Sequence, residues 1–222
     1  DLTQQLLTFS KGGKPVKSVV HLPNLVTESA AFALRGSNLK CRYGFKPDLR
    51  LVEGDEGQIG QVLNNLVINA VQATPQGGLI DVSAENVVLG FDNPMNLRPG
   101  QYVKLALTDQ GTGIPKGHID RIFDPYFSTK QKGSGLGLTV AYSIIDKHDG
   151  RITVESELGA GATFNVFLPA TDKTARQVVD LPAGEVVQRA AKTGRSAAMR
   201  AANAPNSPAA RGDSPSGAPT SS

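Results

Sequence analysis

The sequence predicts a two-layer α/β sandwich in which two or three helices cover one face of a mixed β-sheet. Residues 55–73 carry apolar side chains at helical spacing, and a second helical pattern runs from about residue 136 to residue 148. Residues 151–157 and 162–169 alternate apolar and polar side chains, and the short glycine-containing loop between them is typical of a β-hairpin. Such helices and strands bury their apolar faces against each other.

Three further elements belong to the same two layers. A helical pattern of Leu, Val, Ala and Phe begins at Pro23 and ends at Gly36, in line with the preferences of Pro and Gly for helix ends. Strands are predicted over residues 79–89 and 101–108, with a loop rich in Gly, Pro and Asn between them. These elements predict one α/β domain over residues 21–171.

The two ends of the chain differ in composition from this domain. Residues 1–20 contain an apolar helical pattern followed by glycines and a proline, which predicts the end of a helix and a linker. Residues 172–222 are dominated by Ala, Pro, Ser, Gly and Arg. Because such a composition cannot bury enough apolar area to offset the chain entropy, we expect this tail to be disordered.

Composition and charge exclude several classes of protein. The formal net charge of +3 comes from 23 basic and 20 acidic residues, a balance that argues against nucleic acid as a partner. No apolar run approaches the roughly 18 residues of a membrane helix, so we expect no direct membrane contact. The single cysteine, Cys41, excludes an internal disulfide and is expected to be a small buried thiol.

Amide side chains line one face of the helix predicted over residues 55–73. Gln61, Asn65 and Asn69 recur every four residues, while Val62 and its apolar neighbours point into the core. Amides are poor helix formers, and their oxygens are suitable ligands for Mg²⁺. A metal and phosphate site is therefore one interpretation of this column, and a solvated polar face is the other.

A glycine-rich turn, DQGTGIP, directly follows the strand predicted over residues 101–108. Asp109 therefore lies at a strand end, where its carboxylate could accept a hydrogen bond from an exocyclic amine. Gly111 and Gly113 permit positive φ angles and the close approach of a flat ligand. A glycine-rich turn with a capping Asp is the alternative.

The stretch GSGLGL opens the helix predicted from residue 136. Glycines before a helix leave backbone N–H groups able to face a phosphate. A dinucleotide-binding loop is excluded because no strand directly precedes the stretch and the βαβ context is missing. A P-loop is excluded because no Gly-Lys-Ser/Thr follows.

An apolar segment, IFDPYFSTK at residues 122–130, lies between these two glycine-rich stretches. It suggests a piece of chain that docks on the domain and undocks, although a satellite hydrophobic cluster would have the same composition. Lys130 and Lys132 could reach phosphates as point charges, and solvated lysines are the alternative.

Taken in order, QVLNNLVINAVQAT, DQGTGIP, IFDPYFSTK, GSGLGL and GAGATF resemble the N, G1, F, G2 and G3 boxes of histidine kinases. That family shares a superfamily with gyrase, heat-shock chaperone and mismatch-repair ATPases. The resemblance covers about residues 1–169 and implies ATP and Mg²⁺ as cofactors. It also implies that residues 123–135 form a flexible ATP lid, here called the lid segment. Residues 1–20 resemble the junction after the second helix of the dimerisation domain.

The resemblance assigns roles to individual residues of this chain. It implies that Asn69 ligates Mg²⁺ and that Asn65 helps to hold metal and phosphate, which makes both of them catalytic. Asp109 is the implied adenine-reading acid. The other implied ATP-binding residues are Gly111, Gly113, Ile114, Lys130, Gly133, Ser134, Gly135, Leu136, Gly137, Leu138 and Thr163. The chain departs from the family at Gln72, where Lys or Arg is frequent, and at Ala162, where Thr is common.

Asn65 also bears on the type of reaction. Hydrolytic members of the superfamily place a Glu four residues before the metal-binding Asn, and an amide cannot act as that base. The resemblance therefore implies a kinase domain. It also implies a cytoplasmic location, in a parent protein that could be membrane-anchored. It would donate the γ-phosphate of ATP to a histidine on a dimerisation domain that serves a response regulator receiver domain.

The expected acceptor histidine lies outside this chain. None of His21, His118 and His148 is followed by the complete series of an acid, a basic residue and a proline that follows the acceptor in the family. His148 is expected at a helix C-terminus, where a cation is favoured. Two alternatives stay open, a hydrolytic ATPase of the same superfamily and a degenerate nucleotide-binding or protein-interaction module.

Overall fold

A computed structural model of the chain describes residues 15–129 and 134–173. The predictions for most of residues 1–20, for nearly all of the tail, and for Lys130, Lys132 and Gly133 lie outside the described residues. In the part that is described, no helix has both the length and the apolar character needed to span a membrane.

Four helices and seven strands make up the described domain. The helices are α1 (Leu22–Ala33), α2 (Glu56–Ala73), α3 (Lys116–Ile119) and α4 (Gly137–Lys147). The strands are β1 (Ser18–Val20), β2 (Leu39–Phe45), β3 (Leu51–Gly54), β4 (Gly78–Leu89), β5 (Gly100–Asp109), β6 (Arg151–Glu157) and β7 (Gly161–Thr171).

The strands form one mixed sheet in the order β1-β3-β7-β5-β4-β2, with β6 paired to β7. β2 runs parallel to β4, and the other pairs are antiparallel. The helices pack on one face, so the predicted two-layer sandwich is confirmed. Because β5 is central, its last residue, Asp109, lies between Ile80 of β4 and Ala162 of β7.

Helix α2 forms where its apolar spacing predicts it. Asp55 caps its N-terminus by accepting a hydrogen bond from the backbone N–H of Gln58 at 3.0 Å. The apolar residues on its core-facing side are at most 2% exposed, and they are Ile59, Val62, Leu63, Leu66, Val67 and Ala70. Full burial of a large aliphatic side chain contributes roughly 1.5–3 kcal/mol, so this face anchors α2 on the sheet.

The first three strands and the short α3 are not among the predicted elements. β1 has three residues and β3 has four, which is too short for a periodic pattern. β2 is an edge strand in which only Leu39 is fully buried. Cys41 on this strand is partly rather than fully buried, and burial raises the pKa of its thiol.

His148 ends α4, but the expectation of a cation there is wrong. Its side chain is only 1% exposed, and burial lowers the pKa of the imidazole. Nδ1 lies 2.7 Å from the carbonyl oxygen of Ile144, and Nε2 accepts a hydrogen bond from the backbone N–H of Asp55 at 2.9 Å. A neutral ring with its proton on Nδ1 satisfies both contacts.

Candidate nucleotide-binding site

A cavity of about 360 Å³ lies between α2, the end of β5, the start of α4 and β7. Most of the predicted site residues line it, from stretches that are far apart in the sequence. The predicted residues that line the cavity are Asn65, Asn69, Asp109, Gly113, Ile114, Ser134, Gly135, Gly137 and Leu138. Gly111, Leu136 and Thr163 do not line it.

Asp109 provides the acidic group of the cavity. It is 3% exposed, and its Oδ1 accepts a hydrogen bond from the backbone N–H of Gly111 at 2.8 Å. The side chains of Val103, Leu105 and Leu107 on the same strand are buried, so Asp109 continues the core-facing side of β5 into the cavity. A carboxylate at this depth suits recognition of a hydrogen-bond donor such as an amine.

The glycines after Asp109 are required by backbone packing. A Cβ atom on Gly111 would lie 2.7 Å from the Cβ of Ala73, at the end of α2. Gly113 has a φ of +68°, and a Cβ there would lie 2.0 Å from the carbonyl oxygen of Glu157. The backbone N–H of Thr112 donates to the carbonyl of Ala73 at 3.1 Å. The turn is therefore wedged between α2 and the β6–β7 connection.

Two amides of α2 face the cavity, as their spacing predicts. Asn65 is 6% exposed, and its Nδ2 donates to the carbonyl of Gly137 at 3.0 Å, which ties α2 to the start of α4. Asn69, one turn later, is half-buried and also lines the cavity. Gln61 is not part of the cavity wall, whereas Gln72 is.

The donor set of the cavity fits Mg²⁺. The described residues contain no cluster of three or more His, Cys, Asp or Glu side chains able to hold a metal ion. Mg²⁺ takes oxygen ligands and usually combines one or two protein ligands with waters and substrate phosphates. The amide oxygen of Asn69 is suited to be one of these few protein ligands. The described residues provide no cluster of thiolate or imidazole ligands for another metal.

Two described parts of the lid segment, at Tyr126 and Gly135, are joined beside the cavity. The backbone N–H of Tyr126 donates to the carbonyl of Gly135 at 3.1 Å. Gly135 has a φ of +66°, and a Cβ there would lie 2.5 Å from the carbonyl carbon of Tyr126. Among the described residues, no side chain caps the N-terminus of α4, so its first N–H groups suit an anion.

Aromatic contacts hold the first half of the lid segment against the domain. The rings of Phe123 and Tyr142 have centroids 5.4 Å apart, as do those of His118 and Phe127. Phe123 and Phe127 are partly buried against the core, whereas Tyr126 is 72% exposed. In this structure the apolar segment is therefore docked.

Several residues that line the cavity are not among the site residues predicted from the sequence. The wall also contains Ala162, Phe164, His118, Ile68, Thr112 and Pro115. Ala162, named from the sequence only as a departure from the family, pairs with Asp109. Alternation along the predicted strand places it on the same sheet face as Phe164. Thr163 points to the opposite face, where its hydroxyl lies 2.9 Å from that of Thr108. His118 carries no comparable signal, since the four-residue α3 is too short for periodicity.

The chain matches a known family. A family model described as histidine kinase-, DNA gyrase B- and HSP90-like ATPase matches residues 54–172. The chain belongs to this ATPase family, which confirms the resemblance of its five sequence boxes.

Its relatives within the family are sensor histidine kinases. Sensor kinase CckA of Brucella abortus (strain 2308) is 36% identical over 175 residues, which cover 76% of this chain and 18% of that protein. Sensor histidine kinase ZraS of Escherichia coli (strain K12) is 34% identical over 171 residues, which cover 76% of this chain and 34% of that protein. The chain thus spans about a third of these relatives' length or less.

A solved structure places the domain in the same group. The mycobacterial sensor histidine kinase MprB matches with a TM-score of 0.59 and 26% identity, over 70% of this chain and 98% of that chain. The chain therefore contains a catalytic domain of the protein histidine kinase type.

Proposed function

We propose that this domain binds Mg-ATP in the cavity and donates the γ-phosphate to a histidine on a phosphoacceptor domain. The observation that carries the proposal is one cavity with a buried acid, Asp109, and a pair of amides, Asn65 and Asn69. The acid suits the exocyclic amine of adenine, and the amides suit a metal-bound triphosphate.

The adenine end is supported by the surroundings of Asp109. The carboxylate is fixed by the N–H of Gly111, and the wall around it includes the apolar side chains of Ile114, Ala162 and Phe164. Apolar wall residues beside a buried acceptor suit a purine that donates a hydrogen bond. An ordered acceptor loses little entropy on binding such a ligand.

The phosphate end combines two kinds of groups. Asn69 would supply an amide oxygen to Mg²⁺, and the uncapped start of α4 would direct N–H groups at the phosphates. When bound, Mg²⁺ neutralises charge on the triphosphate. Asn65 supports this end by holding the backbone of Gly137, the first residue of α4.

Transfer, rather than hydrolysis, is supported by the side chain at position 65. Its amide donates to Gly137 and cannot take a proton from water. We therefore infer that the domain retains ATP until an acceptor histidine docks. The inferred partners are a phosphoacceptor domain and a receiver domain in two-component signalling, and the inferred location is the cytoplasm.

The adenine site is tested by the variant Asp109→Asn. A hydrogen bond to a charged group contributes about 1.5–3 kcal/mol, so we expect affinity for Mg-ATP to fall by roughly 10- to 150-fold. Isothermal titration calorimetry measures the change. The matched control is Asp81→Asn on β4, which neutralises a partly exposed ion-pair partner of Arg42 and should leave affinity within about twofold. Unchanged affinity in Asp109→Asn would refute the adenine assignment.

The transfer reaction is tested with a separate phosphoacceptor domain from a related sensor kinase. The unaltered chain should move labelled phosphate from ATP to that domain, and Asn69→Ala should not. Steady-state phosphate release in the absence of an acceptor would instead favour the hydrolytic alternative.

A further inference from the structure

Ser156, on β6, joins the two walls of the proposed base site. Its hydroxyl oxygen accepts a hydrogen bond from the backbone N–H of Ile114 at 2.8 Å. The same hydroxyl donates to the carbonyl of Gly161 at 2.6 Å. The Ser156 hydroxyl therefore uses its proton and one of its lone pairs. Both of its partners are backbone groups of segments that border the cavity.

The contact with Ser156 holds the backbone N–H of the first partner, Ile114, whose side chain packs on the core. Residues 110–115 form neither helix nor strand, so no regular ladder fixes their backbone. Their other supports toward β6 come from the same β6–β7 connection, where Gly113 packs on Glu157 and the N–H of Gly159 donates to the carbonyl of Thr112 at 2.8 Å.

The second partner, Gly161, lies directly against the backbone of Asp109. Gly161 has a φ of +92°, and a Cβ there would lie 2.0 Å from the carbonyl oxygen of Asp109. A shift of Gly161 would therefore move the strand end that carries the acid. Ser156 links the segment of the acid to the segment of Ile114, although it does not line the cavity itself.

We propose that Ser156 is a positioning residue for base selection, which sets the distance between the apolar wall at Ile114 and the carboxylate of Asp109. The proposal rests on the proposed ATP-binding function and deepens it. Loss of the Ser156 hydroxyl would loosen the fit around the purine. It would leave the phosphate-binding part of the site, built by α2 and α4, unchanged. The expected effect is therefore on selectivity between bases and not on triphosphate binding in general.

Three variants isolate the hydroxyl. Ser156→Thr keeps it, and Ser156→Val has almost the same shape as Thr without it, so the two differ in one polar group. Both residues suit a β-strand. Ser156→Ala serves as a smaller variant if Val disturbs folding, and circular dichroism establishes that each chain is folded.

The readout is affinity for Mg-ATP and for Mg-ITP, which has the same triphosphate but lacks the exocyclic amine. We expect the unaltered chain to prefer ATP. In Ser156→Val the preference for ATP over ITP should fall by about 3- to 10-fold, the effect of one hydrogen bond, with affinity for ITP within about twofold. Ser156→Thr should restore the preference.

The outcomes separate this proposal from the function on which it rests. Equal losses for ATP and ITP in Ser156→Val, or a Ser156→Thr variant that behaves like Val, would mean that Ser156 only stabilises the fold. A full preference for ATP in folded Ser156→Val or Ser156→Ala would overturn the positioning role while leaving ATP binding intact. Failure of the unaltered chain to bind ATP would overturn both.

Discussion

At the scale of single residues, the buried ring of His148 connects the end of α4 to the N-terminus of α2. Its nitrogens contact the carbonyl of Ile144 and the N–H of Asp55, the cap of α2. Burial lowers the His148 pKa, and Lys17 lowers it further, while the Ile144 carbonyl, Asp55 and Asp149 oppose this shift. Protonation would break the contact to Asp55, because Nε2 would become a donor facing a donor.

This buried imidazole predicts acid-sensitive stability. The unfolded chain binds a proton at His148 near pH 6.5, and the folded chain binds it only at lower pH. The contribution of His148 is therefore present above about pH 6.5 and is lost as the pH falls through the lower native pKa. Urea unfolding between pH 5 and 7.5 should show a decline that is smaller in His148→Gln.

The control for this prediction is His21→Gln, at the exposed N-terminus of α1. It removes one histidine by the same substitution but should leave the contacts of His148, and therefore the decline that depends on His148, in place. His148→Gln should also lower that free energy at pH 7.5 by about 1–3 kcal/mol, because one buried contact is lost. An equal pH slope in His148→Gln and the unaltered chain would contradict the prediction.

Single residues also show how much of the site could be predicted from the sequence. Asn65, Asn69 and Asp109 meet in one cavity, as helical spacing and a strand-end position predict. Thr163 does not join them, because alternation along β7 turns it away and presents Ala162 instead. No sequence pattern predicts a role for Ser156, because that role comes from two backbone partners at positions 114 and 161.

At the scale of elements, the lid segment is fixed at both described ends by backbone geometry. Gly135 and Tyr126 both have positive φ angles, and the N–H of Tyr126 donates to the Gly135 carbonyl. Tyr126 and Gly135 therefore meet at one point beside the cavity. A side chain at Gly135 would displace that point and the start of α4.

The variant Gly135→Ala tests this geometry. A left-handed conformation costs a non-glycine residue about 1–2 kcal/mol, and the added Cβ would also collide with the backbone of Tyr126. We expect affinity for Mg-ATP to fall by about tenfold or more, which calorimetry would measure.

A matched control separates the collision from the backbone strain. Gly36, after α1, has a φ of +79°, and a Cβ there would meet nothing within 4 Å. Gly36→Ala should lower stability by a similar strain but leave affinity for Mg-ATP unchanged. Equal affinities in the two variants would mean that the junction of the lid segment does not shape the site.

The helices and strands also differ in how well they can be predicted from the sequence. α2 and α4 were predictable because each buries a complete apolar face, with Leu66 and Ile145 at 0% exposure. β2 was not, because a parallel edge strand with one fully buried residue lacks alternation. Its pairing with β4 depends on contacts distant in the sequence, which a local pattern cannot contain.

At the scale of the whole molecule, the cavity exists only when the layers are assembled. Its wall comes from α2, the end of β5, the start of α4 and the start of β7, which span residues 65–164. The sheet order brings β7 beside β5, although the two strands are separated by both the lid segment and α4. Because an unfolded chain cannot hold this arrangement, nucleotide should bind the folded state alone.

Mg-ATP should therefore stabilise the chain by an amount fixed by its own dissociation constant. At a free concentration of 100 times that constant, linkage predicts about 2.7 kcal/mol of added unfolding free energy, measurable by urea unfolding with and without nucleotide. At the same concentration, Asp109→Asn should gain about 1.4 kcal/mol or less, since its affinity is expected to fall at least tenfold. A chain that binds Mg-ATP by calorimetry without this stabilisation would be holding the nucleotide outside the folded cavity.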